Sequence, residues 1–359
     1  MNLRNFSSID VPLMVSVGIL IIFSLVTLYS INFSLFRNQA VFALTGFLAF
    51  LALTQINYRF FTHYYKYIYL GSIIILFLLL FIGVESRGSV RWFELYGLRV
   101  QASEILKPFL ALSMAYFLST LKNYSLKSFI VVLLLSIPII FLIFLQPDLG
   151  NALIYFFVVL GTLLIFGFPF KYFLFGFFVW VLTLPLFWAV LRDYQKNRIL
   201  TFFDPTSDPL GTSYNAIQAI IAVGSGMLLG RGIGQGTQVE LLFLPETHTD
   251  FIFATISEEF GFVGSAIIVS LFVFILYRIY LIIKTSYDKF SKVFSIVTFL
   301  IIFTHFFINI GMNVGILPVV GITLPFVSYG GSSLLSSFIL LGLLFSINKE
   351  TKEKVLEIK

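Results

Sequence analysis

Long apolar stretches separated by short polar segments run through almost the whole chain of 359 residues. A helix that crosses a bilayer needs about 20 mostly apolar residues. Ten stretches meet this requirement: 11–30, 38–56, 66–84, 105–121, 128–145, 151–169, 172–191, 261–282, 294–316 and 331–347. The pattern predicts an all-α polytopic membrane protein of about ten transmembrane helices, forming a single integral-membrane domain over 1–359. The N-terminal segment, Met1–Asp10 and the apolar run after it, lacks a small-residue cleavage site, so we expect an uncleaved first span.

The predicted connections between these helices are unequal in length. Segment 85–103 joins helices three and four, 146–150 is a tight turn, and 192–261 is a large loop between helices seven and eight. Loops longer than about 12–15 residues are usually functional. Within the large loop, 216–229 is apolar and amphiphilic enough to form a short helix at the membrane surface. A Pro- and Gly-rich hairpin, 318–333, joins helices nine and ten.

The distribution of charge predicts the orientation of the helices. An even number of spans places both termini on one side, and by alternation that side carries 14 of the 23 Lys and Arg but 5 of the 17 Asp and Glu. Cytoplasmic loops are enriched in Lys and Arg. We therefore expect both termini, including the tail 348–359, to be cytoplasmic and the large loop to face the exterior. Because the cations are scattered through short loops, the net charge of +6 does not indicate a nucleic-acid partner.

Composition excludes several classes of protein and site. The chain is 59% hydrophobic and 11% charged, whereas soluble domains carry about 25% charged residues. The absence of cysteine excludes disulfides, thiolate catalysis and Cys-ligated metals. The three histidines, His63, His248 and His305, are far apart and form no His-Glu-x-x-His motif.

The unusual polar residues lie in the predicted exterior segments. Asp148, between two apolar spans, is either a helix N-cap or a substrate ligand, and both roles are compatible. Glu104 and Lys107 share a helix face, so they form either a local ion pair or part of a polar cavity. Arg91 and Trp92 are either an interfacial anchor or an anion ligand on an aromatic floor.

Acidic residues and a histidine gather where the large loop returns to the membrane. Glu246, His248 and Asp250 lie there, and Phe251, Ile252 and Phe253 follow Asp250. Such a carboxylate is partly desolvated, which favours its protonated form and suits a general base. The alternative is a helix cap, and Glu258 and Glu259 are then neighbouring caps. The glycines of 224–236 do not match a nucleotide-binding motif.

Together these segments resemble the SEDS family (shape, elongation, division, sporulation). The resemblance rests on Gly88 with Arg91 and Trp92, Gln101–Pro108, Gln146–Gly150, Pro245–Ala254 and Ser328–Ser332. Tyr194–Arg198, Asp204–Gly211, Gln218 and Gly236–Gln238 are similar to its RodA branch. Two departures concern loop conformation: Ala102 stands where proline is expected, and Asn151 where a hydroxyl residue is common.

The resemblance implies a peptidoglycan glycosyltransferase of the bacterial cytoplasmic membrane, active at its outer face. Its substrate would be lipid II, the undecaprenyl-diphosphate-linked disaccharide peptide. Its partners would be a class B penicillin-binding protein transpeptidase, the elongation machinery and membrane lipid. It also implies that Asp250 is the essential acid. Substrate-binding residues are expected at Arg91, Trp92, Glu104, Lys107, Asp148, Lys196, Arg198, Glu246, His248 and Ser328.

Two features of the expected chemistry remain open at the level of sequence. The leaving diphosphate requires positive charge, supplied either by Arg and Lys side chains or by a divalent cation, Mg²⁺ or Mn²⁺, held by Asp250, Glu246 or a neighbouring acid. The alternative function is a flippase or transporter of lipid-linked precursors, which would need charged groups at mid-membrane and on both faces. A structural scaffold is disfavoured because polar residues at membrane depth are costly.

Overall fold

The computed structural model describes residues 9–86, 89–95, 98–204, 208, 211, 213–241 and 243–357. Its helices are α1 (Val11–Ile31), α2 (Phe33–Gln55), α3 (Arg59–His63), α4 (Tyr65–Ile82), α5 (Ala102–Ile105), α6 (Lys107–Ser119), α7 (Leu126–Leu145), α8 (Leu149–Phe166), α9 (Phe170–Val190), α10 (Asp193–Phe203), α11 (Tyr214–Ser225), α12 (Thr237–Glu240), α13 (Ile252–Thr285), α14 (Lys289–Asn313) and α15 (Gly331–Glu357). In the part of the chain described, nine helices are long and apolar enough to cross a membrane. The all-α polytopic fold is confirmed.

The fourth predicted span differs from the other nine. Where one helix was expected over 105–121, the single turn α5 is followed by α6, which has only 13 residues. Pro108 explains the break, because a proline lacks a backbone N–H and fits only the first turn of a helix. The fourth predicted span is therefore present as a shorter helix among the described residues, and α6 is enclosed by its neighbours and buries Ala111, Ala115 and Leu118.

A small antiparallel sheet occupies the predicted connection 85–103. Its strands are β1 (Val84–Ser86), β2 (Ser89–Leu95) and β3 (Leu98–Gln101), in the order β1-β2-β3. Trp92 of β2 pairs with Val84 on one side and Gln101 on the other. The sheet places Arg91 and Trp92 on a central strand, next to the start of α5.

The large loop has its own structure, and its last part is already helical. α13 begins at Ile252, but its helical geometry is interrupted at Gly261, whose φ is 67° and ψ −160°, so the predicted start of the eighth span at 261 coincides with this break. A short helix was predicted over 216–229, and the structure has α11 at Tyr214–Ser225, followed by a turn at 226–229. α11 packs against α13 and α14, with Ala219 and Ala222 buried.

The loop that follows α11 supplies hydrogen-bond partners to the backbone of α13 at its kink. Backbone groups left without helical partners must be satisfied wherever they lie at membrane depth. Here four hydrogen bonds join the two segments: Phe262 N to Met227 O (2.7 Å), Val263 N to Leu228 O (3.1 Å), Arg231 N to Glu258 O (2.9 Å) and Gly232 N to Glu259 O (3.1 Å). The glycine-rich segment is therefore an integral part of the helix bundle.

Five connections meet at one end of the bundle, because successive helices, including the short α6, run in opposite directions. One is the turn at Asn32 between α1 and α2. We call the end formed by the described residues of the other four, 84–101, 146–148, 191–251 and 314–330, the loop end. Hydrogen bonds join these connections to one another, as from the backbone N–H of Tyr329 to His248 O (2.8 Å). At the opposite end, Arg278 of α13 forms an ion pair of 2.6 Å with Asp10, which caps α1.

Candidate active site

Asp148 is the N-cap of α8 and the centre of a buried hydrogen-bond network. Its side chain is 2% exposed. Its Oδ1 accepts from the backbone N–H of Asn151 (3.3 Å), and its Oδ2 accepts from Gln101 Nε2 (2.9 Å), Ser103 Oγ (3.0 Å) and Asn151 Nδ2 (2.9 Å). The predicted cap is confirmed, and it ties the α7–α8 turn to the end of the sheet.

Glu104 and Lys107 form the predicted ion pair, with 2.6 Å between Nζ and Oε1. The pair is fully enclosed and includes a third residue that the sequence analysis missed. Lys107 Nζ also lies 2.7 Å from Nε2 of His305, whose Nδ1 lies 2.9 Å from the carbonyl oxygen of Thr323. Because an ammonium group has no acceptor, Nε2 accepts and Nδ1–H donates. The sequence contains a signal for this residue, because His305 lies in the middle of a predicted membrane span, where ionisable side chains are rare.

Arg91 and Trp92 lie half-buried beside the Asp148 turn. One guanidinium nitrogen of Arg91, Nη2, donates to the carbonyl oxygen of Pro147. Its Nε is buried and has no hydrogen-bond partner within the described residues. Arg91 therefore carries one buried N–H without an acceptor among the described residues.

Asp250 immediately precedes the first turn of α13 and is half-buried. The N-cap of that helix is Phe251, without a side-chain capping bond, so the alternative of a cap at Asp250 is wrong. Phe251, Ile252 and Phe253 are buried, which confirms the partial desolvation expected from the sequence. A Cβ atom placed on Gly321 would lie 3.4 Å from Asp250 Oδ2, so the connection 314–330 passes directly beside the carboxylate.

Glu246 and His248 belong to the turn that leads to Asp250. The carbonyl oxygen of Glu246 accepts from the backbone N–H groups of Thr249 and Phe251, both at 3.2 Å. Its Oε2 accepts from Thr249 Oγ1 (3.2 Å). The ring of His248 lies against that of Tyr329, with 5.6 Å between centroids. These contacts hold the turn in one conformation.

Ser328 lies in the same cluster but is buried. Its hydroxyl donates to the carbonyl oxygen of Thr249 (2.7 Å) and accepts from the backbone N–H of Leu324 (2.8 Å). Those contacts join the connection 314–330 to the turn that carries Asp250. Substrate binding by Ser328 stays a prediction.

Two further pairs, Lys196 with Arg198 and Glu258 with Glu259, lie on elements outside this cluster. Lys196 is half-buried and Arg198 exposed on α10, at the beginning of the large loop. Glu258 and Glu259, expected as caps, lie inside α13 because that helix begins at Ile252. Both are buried, and their carboxylates accept hydrogen bonds from the glycine-rich segment, as Glu258 Oε1 does from Gln238 N (3.0 Å).

Within the described residues, no three His, Asp or Glu side chains are grouped so as to hold an ion. A divalent cation held by Asp250, Glu246 or a neighbouring acid, one of the two alternatives for the charge that the leaving diphosphate needs, stays a prediction. Of the motif Asp204–Gly211, residues 205–207 and 209–210 lie outside the described residues, as does Gly88 of the Arg91 motif.

Comparison with known proteins places the chain among cell cycle proteins. A family model for FtsW, RodA and SpoVE, described as cell cycle protein, matches residues 6–353. The peptidoglycan glycosyltransferase MrdB of Escherichia coli K12 is 38% identical over 316 residues, which cover 86% of this chain and 84% of MrdB. A probable peptidoglycan glycosyltransferase FtsW of Geobacter metallireducens is 33% identical and covers 98% of both chains.

Solved structures share the fold. One is a chain from a study of the structural coordination of polymerization and crosslinking by a peptidoglycan synthase complex. It superposes with a TM-score of 0.83 at 29% identity, covering 95% of this chain and 98% of that one. The crystal structure of the rod shape determining protein RodA of Thermus thermophilus has a TM-score of 0.74 at 26% identity, covering 97% and 99%.

Proposed function

The chain belongs to the FtsW/RodA/SpoVE family of cell cycle proteins and is a peptidoglycan glycosyltransferase, and from this premise we propose that it polymerises lipid II during cell elongation. The observation that carries the proposal is the Asp250 carboxylate, half-buried at the loop end beside Gly321. Lipid II joins a water-soluble sugar to a hydrocarbon tail, so its reaction requires a site at the membrane interface. The loop end, where polar connections cap apolar helices, supplies such a site.

In this mechanism Asp250 is the general base. Its carboxylate takes the proton of the acceptor sugar 4-hydroxyl, and the hydroxyl oxygen attacks the anomeric carbon of the donor sugar. The new glycosidic bond forms as the bond to the diphosphate oxygen breaks, and undecaprenyl diphosphate leaves with the bonding electrons. A single displacement converts the α-linked donor into a β-linked product through an oxocarbenium-like transition state.

The leaving diphosphate needs cationic partners, and we assign this role first to Arg91. It has an unsatisfied Nε–H, and guanidinium groups match phosphate oxygens. Lys196 and Arg198 on α10 are further candidates. Lys107 is enclosed by Glu104 and His305, so we assign it a role in shaping the site instead of direct contact with phosphate.

Orientation and partners complete the proposal. The charge asymmetry of the sequence supports a cytoplasmic-membrane protein whose loop end faces the exterior. Similarity to a chain of a peptidoglycan synthase complex supports a class B penicillin-binding protein as the transpeptidase partner. We place both proteins in the elongation machinery. Dependence on Mg²⁺ or Mn²⁺ is tested by adding a chelator and then restoring each ion.

The test is gel-resolved polymerisation of labelled lipid II by purified protein, with and without a class B partner. Asp250→Asn should remove the glycan ladder. Asp288→Asn, which replaces one good N-cap by another at the start of α14, should retain it. An unchanged ladder in Asp250→Asn would overturn the base assignment. Should the wild type make no ladder with any partner or metal, lipid II transfer between leaflets would be measured to test the flippase alternative.

A further inference from the structure

Two buried asparagines of α14 converge on the backbone of Asp250. Asn309 and Asn313 lie one helical turn apart, and both are 0% exposed. The Nδ2 atom of each donates to the carbonyl oxygen of Asp250, at 3.0 Å in both cases. A buried amide is unfavourable unless it is hydrogen-bonded, so these bonds define where the Asp250 backbone can lie.

Asn309 also holds the segment that passes beside the Asp250 carboxylate. Its Nδ2 donates to the carbonyl oxygen of Ile322 at 2.6 Å. Ile322 follows Gly321, the residue that approaches Asp250 Oδ2. One amide group therefore sets the spacing between the Asp250 backbone and the neighbouring connection, 314–330.

Asn313 fixes the beginning of α13. The first N–H groups of a helix have no partner within that helix, and Phe251 supplies no side-chain cap. Asn313 Oδ1 accepts from the backbone N–H of Ala254, the third residue of α13, at 3.0 Å. The same side chain therefore joins Asp250 and the helix that follows it to α14.

We propose that Asn309 and Asn313 are positioning residues that orient the Asp250 carboxylate against Gly321 without contacting substrate. This inference rests on the proposed role of Asp250 as the base. Amides carry no charge and do not titrate, so the pair fixes position while leaving the charge of the site unchanged. A base held within a fraction of an ångström by buried groups is what efficient proton transfer requires.

The first experiment separates positioning from binding. Asn309→Leu and Asn313→Leu remove the hydrogen bonds at similar side-chain volume. The matched control is Thr298→Val, a buried residue of α14 whose hydroxyl bonds only to its own helix, at Phe294 O (2.9 Å). We expect kcat to fall about a hundredfold in the asparagine variants, with KM for lipid II nearly unchanged. The control should keep wild-type kcat.

A second experiment measures the position of residue 250 independently of activity. Because the chain contains no cysteine, Asp250→Cys introduces a unique thiol. Its rate of modification by a methanethiosulfonate reagent should change at least threefold when Asn309→Leu is added, and should not change with Thr298→Val. If Asn309→Leu does not fold, Asn309→Ala, which removes the same hydrogen bonds without adding volume, replaces it under the same expectations.

The outcomes distinguish the two proposals. Wild-type kcat in Asn309→Leu, or an unchanged thiol reaction rate, would overturn the positioning role while leaving Asp250 as the base. A wild-type protein that makes no polymer would overturn the proposed function. The thiol reaction rates would still decide whether the asparagines position residue 250.

Discussion

The Nζ atom of Lys107 lies 2.7 Å from Nε2 of His305, a residue 198 positions further along the chain. The same ammonium group lies 2.6 Å from Oε1 of Glu104. The three side chains are enclosed where the beginning of α6 meets α14. Because these side chains are removed from water, the charges of Glu104 and Lys107 depend on each other. If one is lost, the other stays buried without water or a partner.

Removing Lys107 should destabilise the protein strongly. Lys107→Met leaves the Glu104 carboxylate buried without its cation, and we expect a loss of about 3–5 kcal/mol in the free energy of unfolding. The double variant Glu104→Gln with Lys107→Met should recover most of that loss. Denaturant titration in detergent measures both, and a single variant within about 1 kcal/mol of wild type would contradict the coupled pair.

Replacing His305 should disturb both the ion pair and the connection 314–330. His305→Phe removes the acceptor for Lys107 and the donor to Thr323, with an expected loss of about 1–3 kcal/mol in stability. Polymerisation should also fall, since the connection that Thr323 anchors carries Gly321. His63→Phe, at an exposed position in α3, is the control and should alter neither quantity. Equal behaviour of the two variants would argue against a role for His305.

Asp148→Asn should be far less tolerated than the same change at another helix cap. At Asp148 the new NH₂ group would face a donor in either orientation, the backbone N–H of Asn151 at the Oδ1 position or the side chains of Gln101, Ser103 and Asn151 at the Oδ2 position. We expect a loss of about 1–3 kcal/mol. Asp288→Asn retains a good cap whose side-chain oxygens accept from Ser291, so its effect should be a few tenths of a kcal/mol. The difference between the thermal unfolding midpoints of Asp148→Asn and Asp288→Asn measures how much the hydrogen bonds around Asp148 contribute to stability.

Two glycines near the end of α11 should respond in opposite ways to alanine. A Cβ on Gly226 would lie 1.8 Å from the carbonyl oxygen of Ser257, a backbone atom of α13, so Gly226→Ala should cost at least about 1–3 kcal/mol. Gly224 has open space, and Gly224→Ala should be neutral or stabilise the helix by up to about 1 kcal/mol. Comparable unfolding midpoints for the two variants would contradict the close packing of this loop on α13.

The apolar pattern predicted most of the fold, and its errors have a common cause. Hydropathy reports which side chains favour a bilayer, but it does not report where the backbone stops being helical. The break before Lys107 depends on Pro108, and the kink of α13 at Gly261 depends on hydrogen bonds between its backbone and the segment 226–232. Both features involve backbone hydrogen bonding, which side-chain apolarity does not encode.

Local spacing also predicted part of the candidate site. The Glu104–Lys107 pair, the Asp148 cap and the partial burial of Asp250 each follow from residues a few positions apart. The hydrogen-bond partners that Lys107 and Asp250 find on α14 do not follow from local spacing. His305 is far from Lys107 in sequence, and Asn309 and Asn313 follow Asp250 by 59 and 63 residues.

The sequence by itself determined the membrane class, most of the helices, the family resemblance and the residues of interest. Those properties follow from composition, from the length of apolar stretches and from spacing within one or two helical turns. Only the tertiary structure decided that α14 supplies the partners of both Lys107 and Asp250, and that Glu258 and Glu259 hold a loop instead of capping a helix. Such contacts depend on which faces of distant helices pack together, and no local pattern along the chain specifies that.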